Sequence, residues 1–269
     1  MNRAYFSLGI FPGLLVVCAV LFGLAGTVAS APSPPSPPSL EEQEARAILQ
    51  EIDDLWRATS SQGTVRMQVK TVNYTRTMRM EMWSKGKDKS LVRIISPLKE
   101  KDTASLKTGN TMYTYLPKTD RTIRLTSGMM MSSWMGSHFT NDDLVKESRL
   151  AEDYEPRLSF KGKREGREII EFTLQPHPDA AVVWGRIVMT VTAQGHLPLL
   201  ATYFDEDNVL ARTIYFSEVK NMGGRLLPAL LKVVPADKPG EYTELVYESL
   251  RFDLDLPESL FSLLELRRR

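Results

Sequence analysis

Residues 106–145 read LKTGNTMYTYLPKTDRTIRLTSGMMMSSWMGSHFTNDDLV, and this stretch decides what the chain can fold into. It follows from Ser105 as short alternating runs: Ser105–Thr108 and Thr111–Leu116, turned at Gly109-Asn110, then Arg121–Leu125 after a Pro117–Asp120 turn. At Gly128 the alternation stops. Four methionines and Trp134 crowd into the seven residues 129–135, between Gly128 and Gly136. Methionine is flexible and polarisable, and it suits surfaces that must adapt to varied apolar partners. Two readings stand open: a lid carrying Met130, Trp134 and Met135 over an apolar concavity, or a short helix or loop packed into the core. Asn141–Val145 then reads as a short capped helix.

Strands continue on both sides of this break. Upstream, Val65–Thr71 sets Val65, Met67 and Val69 against Arg66, Gln68 and Lys70, and Tyr74–Ser84 sets Met78, Met80 and Met82 against Thr77, Arg79 and Glu81. Strict period-two alternation predicts an antiparallel sheet with one wet face. Leu91–Ile95 follows, stopped by Pro97. Downstream, seven further strands are predicted: Arg157–Lys163, Glu168–Leu174, Trp184–Thr192, Leu199–Phe204, Val209–Val219, Leu226–Val234 and Tyr242–Phe252, separated by Gly-, Asn- and Asp-rich turns. Pro228 inside a strand argues for an edge or a bulge. Leu256–Leu266 is an apolar tail that could cap one end.

Before the strands, Ala45, Ile48, Leu49, Ile52, Leu55 and Trp56 recur at helical spacing within Leu40–Ala58, so this segment is an amphipathic helix needing an apolar surface. About a dozen short strands with one long helix imply a curved sheet around a helical plug.

The N-terminus reads as an address. Arg3 precedes the apolar run Leu8–Gly26, and Thr27–Ala31 offers small residues for cleavage. Residues 1–30 are expected to be a signal peptide cut after Ala29 or Ser30; an uncleaved anchor is the alternative. Residues 31–39 form a Pro/Ser-rich disordered linker, and residues 40–269 form a single domain. The one cysteine, Cys18, lies within the apolar run, so the exported chain would carry no disulfide and no thiol nucleophile.

Composition excludes several classes. At a net charge of +1, nothing favours nucleic acid. His138, His177 and His196 have no partner at metal-ligand or triad spacing, and GxSxG, HExxH and Walker patterns are absent, so neither enzyme, metal site nor cofactor is expected. Acid pairs such as Asp142-Asp143 read as solvated or capping residues.

The central motif, with Trp83-Ser84-Lys85-Gly86, Ile95-Ser96-Pro97 and Leu256-Pro257-Glu258-Ser259-Leu260-Phe261, resembles the outer-membrane lipoprotein-sorting family, LolA/LolB-like, from about Ala45 to the C-terminus. The resemblance implies an incomplete antiparallel β-barrel of about eleven strands, mainly β with α, wrapped around an N-terminal helix and covered by a short helical lid. It implies a periplasmic carrier of a lipid or lipoprotein acyl chain, with handover to or from an inner-membrane permease, acting as a monomer. The classical carrier is shorter, lacks the methionine-rich insertion and latches its lid with an arginine to which the resemblance assigns no position here.

The residues support carriage on their own terms. Met67, Met78, Met80, Met82 and Met112 on sheet faces would give a deformable apolar lining, with Met130, Trp134 and Met135 as lid. The alternative is that these methionines simply pack against the helix. A periplasmic sensor of similar shape, binding lipid or outer-membrane protein segments as anti-sigma regulators do, is the second functional reading.

Overall fold

The computed structural model describes residues 40–146 and 149–268; the expected signal peptide and linker lie outside the described residues. Helix α1 (Leu40–Asp54) buries Ala45, Ile48, Leu49 and Ile52, the stripe that its 3.6-residue period required. Glu41 and Glu42 sit in its first turn, where the helix dipole favours acids.

Thirteen strands follow: β1 (Ser60–Lys70), β2 (Thr75–Lys85), β3 (Lys89–Ser96), β4 (Ala104–Thr108), β5 (Thr111–Leu116), β6 (Arg121–Arg124), β7 (Tyr154–Arg164), β8 (Arg167–Pro176), β9 (Arg186–Thr192), β10 (Pro198–Phe204), β11 (Leu210–Met222), β12 (Arg225–Pro235) and β13 (Tyr242–Phe252). Between β6 and β7 lie 3-10 turns at Ser127–Met129 and Trp134–Gly136, then helices α2 (Asn141–Lys146) and α3 (Leu150–Asp153). A 3-10 turn at Glu258–Phe261 and helix α4 (Leu263–Leu266) close the chain.

All thirteen strands join one antiparallel sheet in the order β6-β5-β4-β3-β2-β1-β13-β12-β11-β10-β9-β8-β7. Each half is a meander of neighbours in sequence. One long-range ladder, β1 with β13, joins them from Ser61–Phe252 to Lys70–Tyr242. The backbones approach so closely there that a Cβ on Gly63 would lie 2.4 Å from the Ser249 carbonyl oxygen, so only glycine fits. Strands β6 and β7 are left as edges, and the sheet does not close into a barrel. This is the incomplete barrel expected, with thirteen strands where the resemblance implied about eleven.

Pro228 is not on an edge strand. β12 lies between β11 and β13, but its ladder to β13 covers only Leu230–Val233. At Pro228 that ladder has ended, so the missing N–H costs no β13 bond. The Pro228 carbonyl accepts from Trp56 Nε1 at 3.3 Å, which ties the end of the helical region to the sheet.

The core has three parts. α1 packs with the inward residues of β8–β12, among them Phe172, Leu174, Ile187, Met189 and Val233. The inward residues of β1–β5 pack with Trp134 and Val145 of the segment between β6 and β7. The C-terminal tail lays Leu256, Phe261 and Leu266 on Leu91, Ala104, Leu106 and Tyr115. The tail thus covers the other face of β3–β5 rather than an end, and these strands have no wet face. β4 accordingly departs from strict alternation, with four consecutive residues, Ala104–Lys107, buried.

Candidate functional site

The residues described between Leu125 and Lys146 and between Arg149 and Asp153 cross the inner face of the sheet and are fastened to it by both apolar and polar contacts. After the 3-10 turn at Ser127–Met129 comes a turn in which Met135 and Gly136 both take left-handed conformations, φ 49° and 67°. Trp134 on one side of that turn is 4% exposed, and its Nε1 donates to Ser105 Oγ at 3.1 Å. The Met135 carbonyl accepts from Arg76 Nη2 at 2.9 Å. His138 is held to the β12–β13 hairpin. Its backbone N–H donates to Thr243 Oγ1 at 3.0 Å, and its ring Nε2 lies 3.0 Å from Glu241 Oε2.

α2 opens with a reciprocal capping box. Thr140 N–H donates to Asp143 Oδ2 at 2.7 Å, and Asp143 N–H donates to Thr140 Oγ1 at 3.2 Å. Asp143 is also gripped by Arg212 of β11, whose Nη1 lies 2.6 Å from Oδ2. Burial alone would raise the Asp143 carboxyl, but the Arg212 charge and hydrogen bonds outweigh it and hold the group below the usual carboxylate range. Arg212 is 3% exposed and lies 4.4 Å from the ring centroids of both Trp184 and Tyr203.

α3 is capped from α1. Asp53 accepts from the Leu150 and Ala151 N–H groups at 3.1 and 3.0 Å. Burial pushes its carboxyl up to about 6, against the pull of those two donors and of Lys87. Tyr203 is pushed up to about 12, chiefly by burial, and Tyr154 is raised for the same reason.

Beneath the crossing segment lie two apolar cavities. The first, of about 160 Å³, is walled by residues that include Ile52, Trp56, Tyr154, Trp184, Met189 and Phe216. The second, of about 130 Å³, is walled by residues that include Val65, Met82, Val92, Trp134, Leu144 and Leu245. Four residues line both: Phe139 and Asp143 from the crossing segment, Leu231 and Tyr247 from the sheet. The cavities are therefore neighbours, partitioned by two side chains above and two below.

The eight residues singled out from the sequence fall in one apolar cluster. Met67, Met78, Met80, Met112 and Trp134 are buried within it, and Met82, Met130 and Met135 pack against it. The β1–β2 register brings them together: Met67 lies opposite Met78, Val65 opposite Met80, Gly63 opposite Met82. Met67, Met78, Met80 and Met112 have no exposed surface and form a packed floor; Met82 and Trp134 reach the wall of the second cavity.

The first cavity contains none of the eight. Its polar residues, Asp53, Asp142, Asp143, Arg149 and Asp153, together with Trp184 and Tyr203, were missed. Asp142-Asp143 was read as a solvated or capping pair. Asp143 does cap α2, but Asp142 is 4% exposed, so solvation does not describe it. One signal was available: Arg212 shares the inward face of β11 with Ile214 and Phe216, and an arginine on an apolar stripe calls for a buried acid.

Over residues 86–268 the chain matches the model of a family described as uncharacterized protein. No curated protein matches it. Among solved structures, it is similar to a Vibrio parahaemolyticus domain named for outer membrane lipoprotein sorting, with a TM-score of 0.74 and 23% identity over 84% of this chain and 100% of that one. A DUF1329 family protein from Desulfovibrio piger ATCC 29098 gives a TM-score of 0.75 and 21% identity over 84% of this chain and 99% of the other. A LolA superfamily protein from Nitrosomonas europaea gives 0.70 and 22%, over 82% and 98%. The fold is the LolA-like fold, an open antiparallel sheet with an N-terminal helix and short helices across its inner face.

Proposed function

The chain belongs to the family whose model spans residues 86–268, and on that footing we propose that it is a periplasmic carrier that buries the acyl chain of a lipid or lipoprotein beneath the segment between β6 and β7. The observation that carries this reading is the pair of apolar cavities sharing Phe139, Asp143, Leu231 and Tyr247. Raising Phe139 and Asp143 would merge them into one slot. An acyl chain needs such a slot more than it needs polar contacts, since each buried CH₂ contributes about 0.8 kcal/mol. The covering segment is tied down by apolar packing of Trp134 and Val145 and by hydrogen bonds and ion pairs, and the polar contacts can be exchanged for water when it lifts.

The name of the Vibrio structure, an outer membrane lipoprotein-sorting domain, supports the same class of cargo. In this reading residues 1–30 direct export, the protein acts as a monomer, and cargo passes to or from an inner-membrane permease. Extraction of protein purified from the periplasm with organic solvent, followed by mass spectrometry, tests it. Co-purified acyl lipid is the expected result. Affinity for acyl probes should rise with chain length and change little with salt or chelator. Affinity that is flat with length but falls steeply with salt would remove the carrier reading. An empty protein with a tightly held protein partner would favour a sensor instead.

A further inference from the structure

We propose that Met129 and Met131 are oxidation sites: they take up a two-electron oxidant as sulfoxides and so spare the methionines packed behind them. The inference does not depend on what the cavities hold.

The methionines of this chain divide by exposure. Met67, Met78, Met80 and Met112 have no exposed surface, and Met189 is buried too. Met82, Met130, Met135 and Met222 are half-buried and pack against the second part of the core. Met129 and Met131 are the exposed methionines among the described residues, at 38% and 53%. The one cysteine, Cys18, lies outside those residues, so no thiol there competes for an oxidant. Among thioethers, attack follows accessibility. Three rotatable bonds let an exposed methionine turn its sulfur toward water.

The turn that carries the two side chains is held by its backbone. The Met129 carbonyl accepts from Asn141 Nδ2 at 3.0 Å and from the Ser132 N–H at 3.1 Å. The Met130 carbonyl accepts from the Asp142 N–H at 3.0 Å, and the Ser132 carbonyl from the Asn141 N–H at 3.0 Å. An oxygen added to the sulfur of Met129 or Met131 removes none of these bonds. Their neighbours differ. Met130 and Met135 pack against the same cluster as Met78 and Met80, and Met82 borders the second cavity. A sulfoxide at any of those three sets a polar group against apolar carbon, which costs stability.

Hypochlorous acid serves as the probe oxidant. The sulfur lone pair takes its chlorine and expels hydroxide. Water then displaces chloride at sulfur, and loss of two protons leaves the sulfoxide. Sulfur gives up two electrons, and chlorine gains them and departs as chloride.

The test treats the full folded chain with about two equivalents of hypochlorous acid, a limiting dose, and maps sulfoxide by peptide mass spectrometry. Cys18 is alkylated beforehand, so that its thiol consumes none of the dose. Between residues 40 and 268, Met129 and Met131 should hold most of the sulfoxide, and the melting midpoint should stay where it was. In the double variant Met129→Leu with Met131→Leu, the same dose should raise sulfoxide at Met82, Met130 and Met135. Its midpoint should then fall by about 2–4 °C relative to the untreated variant. Equal oxidation of Met82, Met130 or Met135 in the unmodified chain overturns the proposal without any variant. So does a lowered midpoint in the treated unmodified chain. A double variant that gains no sulfoxide at those three positions overturns it as well, since the exposed pair then shields nothing.

Discussion

Arg212 on β11 holds Asp143 on α2 through Nη1, 2.6 Å from Oδ2, and through Nη2 on the other oxygen, so the segment beneath which the cavities lie is fastened at a buried ion pair. Nη1 also donates to the His138 carbonyl at 3.3 Å. One sheet side chain therefore fixes two points of the covering segment.

Removing either partner should be costly, because it strands the other charge in a largely buried place. Arg212→Met and Asp143→Leu should each lower stability by about 3–5 kcal/mol in urea titrations. The paired replacement Arg212→Met with Asp143→Leu should cost less than either alone, since no charge is left stranded. A double variant whose loss equals the sum of the singles would mean that the two side chains do not depend on one another.

Asp53 gives a pH signature. Its folded-state value of about 6 lies above the ordinary 3.8, so the folded chain binds the proton more tightly than the unfolded chain does. The stability from this group is fully present below about pH 4 and is lost as pH rises through about 6, by about 3 kcal/mol at most. Asp53→Asn should flatten this part of the stability profile. A wild-type advantage that instead grows between pH 4 and 7 would mean that the charged carboxylate is what caps α3.

The methionines should divide by position. Met67→Ala or Met80→Ala, at sites with no exposed surface, should cost about 2–5 kcal/mol. Met82→Ala should cost less and change probe uptake more, because Met82 borders the second cavity. Trp134→Ser should lose stability like the first pair, given its burial and its bond to Ser105, and should change probe uptake as well, since Trp134 also borders the second cavity. Equal melting losses at Met80 and Met82 would remove the distinction between floor and wall.

The export reading predicts a mature N-terminus. Sequencing of the periplasmic protein should begin at Ser30 or Ala31. A membrane-retained chain still starting at Met1 would show that the apolar run stays as an anchor.

The strands were legible because most have one face on the core, and a two-residue period records that directly: Val65, Met67 and Val69 are buried while Arg66 and Gln68 are not fully covered. The methionine cluster was legible for the same reason, once neighbouring strands were taken as paired. The first cavity was not. Its walls come from α1, the crossing segment and β7–β13, so Asp53, Asp143, Trp184 and Arg212 meet only through the fold. Local patterns carry no trace of a contact between positions 143 and 212. Asp53 beside Asp54 and Asp143 beside Asp142 look like any solvated acids until the helix they cap is placed.

The covering segment starts at β6 and ends at β7, the two margins of the sheet. A flap sewn along one margin swings on a hinge; a band sewn to both behaves as a drawstring. Spreading the margins would draw Trp134 and Phe139 down onto the floor, and letting them approach would give slack.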